Sequence, residues 1–341
     1  MPKAGDRAEG RRSKHYRFRL TAAARTLSMA QIARLSDDEA RLQFEKIRFA
    51  ENDGEPYCPH CGFVVVYRYA KRGLFKCKSC EKQFSATSGT SFHSRKMSFS
   101  DILIAILSFA NPPQGNSALA IADILGCAPK TAFVLGHKLR RAMADMQAEN
   151  ILTGKVEVDG VYINAHLRQE NLLADRMRRT KEYAAKKHCI VTMRERGQHG
   201  RSRAFFLKSE EAGAVIAPKV IQQSASVITD LGDAWHRFAA MFDSLRSVNH
   251  SVGYSIDGDH INGIECQHLR IRRSLQGIYF SFLKGYGQNY ADELSWRDDH
   301  RQMDNGRRML FLARRVAKMP VATEWVGYWR KRPAVSTVVA I

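Results

Sequence analysis

The sequence has 341 residues, enough for two or three domains, and its 44% hydrophobic and 26% charged residues are ordinary for a soluble globular protein. Its charge is not ordinary, because 54 Lys and Arg against 34 Asp and Glu give a formal net charge of +20. This surplus favours a polyanionic partner, with nucleic acid ahead of an anionic membrane. No apolar run approaches the roughly 18 residues of a membrane span, and the start of the chain lacks an apolar secretion segment. We therefore expect a protein of the reducing cytosol.

Residues 1–34 form a basic opening segment, with eight Lys or Arg and two acidic residues among the first 25. This composition predicts a flexible, solvated arm, and contact with DNA phosphates is the alternative. Ser36 and Glu39 then have the spacing of a capping box, in which each side chain bonds the backbone N–H of the other residue. We expect a helix from there to near Asp53, within a segment 35–56 that leads into the next domain.

Four of the seven cysteines form two CxxC pairs separated by fifteen residues: Cys58, Cys61, Cys77 and Cys80. This spacing is typical of tetrahedral zinc sites, and clustered cysteines in a reducing compartment bind metal more often than they form disulfides. The residues between the pairs have the pattern of a β-hairpin, and residues 82–85 predict a third strand. Residues 57–97 are therefore predicted to form a zinc ribbon, whose four thiolates leave no open position for chemistry, so the zinc is structural. The remaining cysteines are interpreted as small buried side chains: Cys127, Cys189 and Cys266.

Residues 98–150 have a helical pattern. Ser100 is positioned to cap a first apolar helix, which Pro112 and Pro113 interrupt, and two further helices flank Gly126. A helix, a glycine-containing turn and a basic second helix are typical of a helix-turn-helix unit that binds DNA. A plain helical spacer has much the same pattern, so both interpretations stay open here.

Strands and helices alternate from residue 151 onward. The strands are predicted at 155–159, 188–193, 203–207 and 226–229, and the helices at 209–222, 235–242 and 262–275. The predicted fold class is thus a multidomain α/β protein with an N-terminal zinc ribbon, a helix-turn-helix-like segment and a mixed α/β core at 151–304. The basic segment 305–341 is predicted to be a C-terminal tail that forms a solvated helix, with an extension of a DNA-binding surface as the alternative.

Two aspartates stand at the ends of predicted strands, where Asp is unfavourable without a specific cause. Asp159 and Asp230 are either turn or helix-capping residues, or a pair of hard oxygen ligands for Mg²⁺. Glu265 follows Asp230 by 35 residues, and Arg272 follows Glu265 by seven. Seven residues make about two helical turns, so Glu265 and Arg272 share a face, one toward metal and one toward DNA phosphate. A chain this charged also produces such spacings by chance.

Several longer segments occur in a fixed order around these residues. They are VEVDGVYINAH around Asp159, VITDLGDAW around Asp230, SVNHSVGYSIDGDHINGIE ending at Glu265 and ADELSWRDDHR at 291–301. With CPHCG and CKSCEKQFSATSGTSFH in the ribbon, they resemble the DDE transposases of bacterial insertion sequences that join a zinc ribbon to an ISXO-like catalytic core. The resemblance is colinear over roughly residues 35–305.

The resemblance implies an RNase H-like core in which Asp159, Asp230 and Glu265 are the catalytic triad and hold Mg²⁺ or Mn²⁺. Asn262, one helical turn before Glu265, is a neighbour that shares or orients metal or water, and in this group it is sometimes counted as the third catalytic residue. One departure from the family pattern is Gly160, which stands where relatives carry an acidic residue. A second is an aromatic stretch at 277–282, where relatives often carry histidines.

The resemblance also predicts the DNA contacts: Arg272, Arg273, His250 and Arg297. The alternative for His250 is a hydrogen-bonded structural role, and the main interpretation of Trp296 and Arg297 is helix packing with an additional phosphate contact.

The activity that the resemblance implies is two-metal phosphoryl transfer. The enzyme would cleave DNA at the terminal inverted repeats of its element and join the freed 3′-hydroxyl to target DNA. Synapsis of two ends implies a homo-oligomer, located at the nucleoid of a bacterial cytoplasm and away from membranes. Two alternatives are a DNA-binding regulator with an inactive core and an RNase H-like nuclease that cuts without joining.

Overall fold

The computed structural model describes residues 18–163, 188–197, 200–248, 258–280 and 285–328. The α-helices described there are α1 Met29–Ala33, α2 Asp37–Arg48, α3 Phe99–Ala110, α4 Ala118–Leu125, α5 Pro129–Ala148, α6 Glu211–Val220, α7 Asn262–Ser274, α8 Gly287–Asp299 and α9 Asn305–Lys318. The strands are β1 Val66–Tyr69, β2 Leu74–Cys77, β3 Gln83–Ser85, β4 Lys155–Ile163, β5 His188–Glu195, β6 Ser202–Leu207, β7 Ser226–Asp230 and β8 Ser244–Val248. They form a three-stranded and a five-stranded sheet.

The small sheet is the ribbon, with antiparallel strands in the order β1-β2-β3. The predicted hairpin and third strand are confirmed, and the first strand begins only at Val66, five residues after Cys61. The reason is that the Phe63 carbonyl accepts the N–H of Cys58 at 2.9 Å and so belongs to the cysteine turn. The ribbon packs on α2, where Arg68 donates to Glu45 at 2.6 Å.

The helix α2 begins as the sequence predicts. Ser36 accepts the N–H of Glu39, and the Glu39 carboxylate accepts the N–H of Ser36, so the capping box is complete. The first helix of the next segment, α3, is instead capped by Ser98 through Asp101. The cap thus lies two residues before the predicted Ser100, because Ser98 is the residue with an acidic partner at the capping-box spacing.

The α4–α5 pair has helix-turn-helix geometry. The two helices are bent by 113° against each other, and Gly126 ends α4 with a φ of 59°, a left-handed conformation that glycine adopts at little cost. Such an angle across a short glycine-containing turn is characteristic of helix-turn-helix units. Within the described part of the chain, no single helix is long and apolar enough to cross a membrane, and these two satisfy that test only as a bent pair.

The segment 305–318 is part of the helical core and not a solvated tail. The helix α9 buries five apolar residues against α2, α3 and α5: Met309, Leu312, Ala313, Val316 and Ala317. Their spacing is that of one face of an amphipathic helix. The prediction of a solvated segment is therefore wrong for residues 305–318, because the abundance of Arg and Lys on the other face obscured this apolar stripe.

The described part of the predicted basic arm is also folded. The backbone N–H of Thr26 donates to Asn305 Oδ1 at 2.8 Å, and Ser28 forms a capping box with Gln31 at the start of α1. Arg19 donates to the carbonyl of Asn111 at 2.6 Å. The prediction of a flexible arm is thus wrong for residues 18–34, and residues 1–17 lie outside the described part of the chain.

The large sheet has the strand order β6-β5-β4-β7-β8. The strands β6, β5 and β4 are antiparallel neighbours, whereas β7 and β8 add in parallel, so the sheet is mixed as expected for an RNase H-like core. The helix α6 packs on one face, and α7 and α8 pack on the other. The edge strand β8 was not predicted, because only its last residue is buried and its sequence lacks an apolar pattern.

Candidate active site and metal centre

The four predicted zinc ligands converge in the ribbon. All four Sγ atoms lie within 4.8 Å of one another, and the pairs Cys58–Cys80 and Cys61–Cys77 are each 3.6 Å apart. Zinc–sulfur bonds of about 2.3 Å in a tetrahedron separate the sulfurs by about 3.8 Å, so this donor set fits zinc closely. The N–H of His60 points to Cys58 Sγ at 3.4 Å, and the N–H of Cys80 points to Cys77 Sγ at 3.5 Å, so the backbone of each CxxC turn helps to orient its first sulfur.

The other cysteines differ in exposure. Cys189 is buried in β5, as predicted, whereas Cys127 is half-buried and Cys266 is exposed. The prediction of a buried side chain is therefore wrong for Cys266. It lies directly after Glu265, on the solvent side of α7.

Asp159 and Asp230 lie on two neighbouring parallel strands. The strands β4 and β7 pair in a register that matches Glu157 with Ile228, and its continuation by two residues brings Asp159 beside Asp230. The strand β7 ends at Asp230, whereas β4 continues to Ile163. The sequence analysis predicted Asp159 at the end of a strand, but the structure has it in the middle of β4. Because side chains alternate along a strand, Asp159 points to the face that α7 covers.

Each aspartate is oriented by a nearby backbone N–H. Asp159 Oδ1 accepts the N–H of Gly160 at 2.7 Å, and Asp230 Oδ1 accepts the N–H of Gly232 at 3.0 Å. These bonds fix the position of one oxygen of each carboxylate and leave the second oxygen outside the bond.

The first turn of α7 is fixed above β4 by a buried carboxylate. Glu157 Oε2 accepts the N–H of Ile264 at 3.1 Å. A Cβ at Gly263 would lie 2.7 Å from the same oxygen, so this close approach requires glycine. The predicted site residues Asn262 and Glu265 belong to this turn and are exposed.

An ionic cluster holds the segment before α7. Asp259 pairs with Arg246 at 2.8 Å and with Arg196 at 3.6 Å, and Arg196 also pairs with Glu157 at 3.0 Å. Farther along α7, the buried Asp298 of α8 pairs with Arg270. The position of α7 over the sheet is thus set by charged groups from β4, β5, β8 and α8.

His268 is a site residue that the sequence analysis missed. Its Nδ1 lies 3.4 Å from Asp159 Oδ2, and its Nε2 lies 3.3 Å from Thr192 Oγ1. It follows Glu265 by three residues, about one helical turn, and this spacing was the signal available in the sequence. These contacts connect α7 to β4 and β5. Because His268 contacts Asp159, Glu265 lies about one helical turn from a residue that touches Asp159.

A further carboxylate, that of Glu210, lies at the same end of the sheet as the two aspartates. Burial raises the pKa of Glu210 to about 7, and the negative charges of Asp159 and Asp230 act in the same direction. Glu210 occupies the N-cap position of α6, but its side chain makes no capping hydrogen bond. Glu210 is thus close enough to both aspartates to be repelled by them.

The donor set at this edge consists of carboxylate oxygens, which hard divalent cations prefer. Among the described residues, the four cysteines are the one group of three or more potential ligands within 4.8 Å of one another. The carboxylates from β4, β7, α6 and α7 therefore have to rotate toward one another to share a cation. A cation placed between them removes their mutual repulsion, so the chemistry of the site fits Mg²⁺ or Mn²⁺.

Comparison with known families identifies both parts of the chain. The model of the ISXO2-like transposase domain matches residues 151–299, and that of the transposase zinc-ribbon domain matches residues 35–83. The chain thus carries two transposase domains, a zinc ribbon at residues 35–83 and an ISXO2-like DDE transposase domain at residues 151–299. The two matched regions contain the converging cysteines and the paired aspartates, respectively.

One curated relative of this transposase comes from Halobacterium salinarum and is named "Uncharacterized protein in transposable element ISH50". It is 26% identical over 235 residues, which cover 64% of this chain and 77% of the relative. No solved structure matches. Because the relative is archaeal, the expected bacterial source stays a prediction.

The residues predicted to contact DNA differ in their exposure to solvent. Arg272 and Arg273 are exposed near the end of α7, and the continuous helix confirms that Arg272 shares a face with Glu265. Their contact with DNA stays a prediction. His250 lies outside the described residues.

Arg297 does not face DNA. It is 6% exposed, and its Nε and one terminal nitrogen donate to Glu293 Oε1 at 2.8 and 2.6 Å. The remaining donors reach the carbonyls of Phe109, Ala110 and Pro112. All five N–H groups of the guanidinium are thus engaged inside the transposase. The predicted phosphate contact at Arg297 is wrong, and the packing interpretation is correct, as it is for the fully buried Trp296.

Proposed function

We propose that this transposase cleaves DNA at the ends of its insertion sequence and joins the freed 3′-hydroxyl to target DNA. The observation that carries the proposal is the β4–β7 register, which brings Asp159 beside Asp230 at an edge covered by α7. Membership of the DDE transposases supports the same chemistry. The alternative of a regulator with an inactive core does not explain why an acidic site is assembled there.

Asp159, Asp230 and Glu265 would hold Mg²⁺ or Mn²⁺ through their carboxylate oxygens. When bound, the metal lowers the pKa of the attacking water or 3′-hydroxyl and neutralises charge on the scissile phosphate. Asn262 lies one turn before Glu265 and offers an amide to orient a ligand or water. Arg272, two turns after Glu265 on the same face, would hold a neighbouring phosphate.

The helix-turn-helix unit would bind the terminal repeats through the start of α5. Residues 128–131 are exposed there and include Lys130, and recognition helices contact base edges mainly through their N-terminal residues. Farther along α5, Arg140 donates to the buried Glu293 at 2.7 Å. Arg140, in the second half of α5, therefore stabilises the packing of the core. The zinc ribbon and the exposed first turn of α5 are the parts that would bind DNA. Synapsis of two ends would require at least two copies of the chain.

The test is an assay with Mg²⁺ and DNA carrying the terminal repeats of the element. We expect nicked and joined products from the wild type and at least about 100-fold less of both from Asp159→Asn. The control is Asp233→Asn, because Asp233 is fully exposed and lies just beyond Asp230. Equal activity of the wild type and Asp159→Asn would contradict the proposal and favour the regulator. Cleavage without joined product would favour a nuclease.

A further inference from the structure

The side chain of Glu210 fills the space beside Gly160. A Cβ added to Gly160 would lie 2.3 Å from Glu210 Cγ and 2.5 Å from Glu210 Oε1. With Glu210 in this position there is no room for a side chain at position 160, and Gly160 directly follows Asp159 in β4. Because side chains alternate along β4, position 160 faces α6, and Glu210 therefore approaches the strand from the α6 side, directly next to Asp159 in sequence.

The sheet topology explains why Glu210 reaches this edge. The strand β6 runs parallel to β4, because each is antiparallel to β5. The end of β6 and the start of α6 thus lie at the same edge as the end of β4. At this start, Glu210 occupies the N-cap position of α6 without using its side chain as a cap, so the carboxylate is free to extend toward Gly160.

A second buried group at this edge has an unused donor. Trp235 is 1% exposed, and its Nε1–H has no acceptor among the described residues. The point where a Cβ would stand on Gly232 is 3.5 Å from this nitrogen and 3.0 Å from Asp230 Oδ1. An orphaned buried donor costs about 1–3 kcal/mol, which favours an acceptor such as a metal-bound water or a phosphate oxygen in the occupied site.

We propose that Glu210 is a fourth metal-binding carboxylate of the active site, acting with Asp159, Asp230 and Glu265. Its role rests on the proposed function, because it is a ligand for the same divalent cation. Four elements then contribute to the site: β4, β7, α6 and α7. The absence of a side chain at Gly160 is a requirement of this arrangement.

The test measures Mn²⁺ binding to the full-length, zinc-loaded protein by electron paramagnetic resonance of free Mn²⁺. We expect Glu210→Gln to raise the Kd for Mn²⁺ about tenfold or more. The matched control is Glu211→Gln, an exposed neighbour on α6, which should leave the Kd within about twofold because exposed charges are screened. Zinc content is measured in parallel and should not change in either variant.

A positional exchange tests the geometry directly. Gly160→Asp alone should weaken Mn²⁺ binding, because its Cβ overlaps Glu210 Cγ. Combining it with Glu210→Ala removes that overlap and supplies a carboxylate from β4, so the double variant should bind Mn²⁺ more tightly than either single variant. A double variant no better than Glu210→Ala would overturn the proposal.

The Asp159→Asn variant separates this inference from the proposed function. If it loses Mn²⁺ binding while Glu210→Gln binds as the wild type does, Glu210 is not a ligand and the proposed function stands. If the wild type binds no Mn²⁺, both proposals fail. If Glu210→Gln weakens binding but the wild type neither nicks nor joins DNA, the fourth ligand is supported and the transposition chemistry fails.

Discussion

The zinc ribbon and the carboxylate site are assembled in opposite ways. The ribbon takes all its ligands from residues 58–80, and two tight turns bring the sulfurs to within 4.8 Å of one another. The carboxylate site takes Asp159, Asp230 and Glu265 from two strands and a helix, and salt bridges from further elements hold that helix in place. A site made from adjacent turns is thus encoded locally, whereas a site made across a sheet depends on the surrounding fold.

The largest effect that follows from this comparison concerns the ribbon. Cys77→Ser removes one of four thiolates, and structural zinc contributes on the order of 10 kcal/mol to the folding of such domains. We expect zinc to fall from about one per chain to near zero, with loss of amide protection in residues 57–97. Because the carboxylate site is built separately, its Mn²⁺ affinity should change little.

Zinc measured by mass spectrometry and amide hydrogen exchange would check this prediction. Cys266→Ser is the control, since Cys266 is exposed and remote from the other thiols. Loss of Mn²⁺ binding together with zinc would show that the two sites are one cooperative unit and break the comparison.

The next largest effect concerns the packing that supports the carboxylate site. Glu293 is fully buried in α8 and pairs with Arg140 at 2.7 Å and Arg297 at 2.6 Å. Glu293→Gln leaves two buried cations without a counter-charge, so the free energy of unfolding should fall by about 3–5 kcal/mol. Urea unfolding would measure it. Glu324→Gln, which removes a partly exposed pair with Arg141, should cost less than about 1 kcal/mol.

The zinc content of Glu293→Gln should stay at about one per chain, because no ribbon element contacts Glu293. If zinc is lost as well, the ribbon depends on the same packing as the core, contrary to the local assembly argued above.

The comparison also explains what the sequence was able to predict. Cysteine spacing predicted the ribbon, and alternating apolar residues predicted four of the five strands of the large sheet. Asp159 and Asp230 were found because they are unusual in strands. The residues that were missed, Glu210 and His268, act through contacts across the sheet, and no local pattern distinguishes them from a helix cap and a buried histidine. The resemblance predicted packing and an additional phosphate contact for Arg297, and only the fold shows that Glu293 and backbone carbonyls occupy its donors.

The pH dependence of stability is the third expected effect and belongs to the core alone. Burial raises the pKa of Asp299 in α8 to about 7, although Ser202 and Gln147 donate hydrogen bonds to it. A carboxyl whose folded pKa exceeds its unfolded value of about 3.9 stabilises the fold below that value, and the contribution is lost as the pH rises through 7. The free energy of unfolding should therefore fall between about pH 4 and pH 8.

Asp299→Asn keeps an oxygen to accept from Ser202 and Gln147 and cannot ionise. Its unfolding free energy should exceed that of the wild type at pH 8 and depend less on pH, with a residual slope from Asp292, whose pKa burial also raises to about 7. Urea unfolding at a series of pH values would measure both. An unchanged slope would mean that Asp299 does not titrate in this range.

The smallest effect that we expect is at His268, where the carboxylate site meets α7. His268 is a positioning residue, because its Nδ1 lies 3.4 Å from Asp159 Oδ2 and its Nε2 contacts Thr192. His268→Leu removes both contacts and should lower kcat for strand cleavage about tenfold, since a ligand that loses its supporting partner typically costs this much. KM for DNA should stay within about twofold, because the buried side chain of His268 is not exposed to a bound DNA strand.

His268→Asn separates positioning from packing. The amide of an asparagine reaches the place of Nδ1 but not that of Nε2, so this variant should recover most of the activity if the contact with Asp159 is the important one. Equal losses in the Asn and Leu variants would instead assign the role to Thr192 or to the ring volume. His236→Asn, at an exposed histidine beyond Asp230, should have no effect. Recovery by asparagine would show that the carboxylate site depends on a single long-range contact to position Asp159. In the ribbon, the tight turns that contain the cysteines position the ligands by themselves.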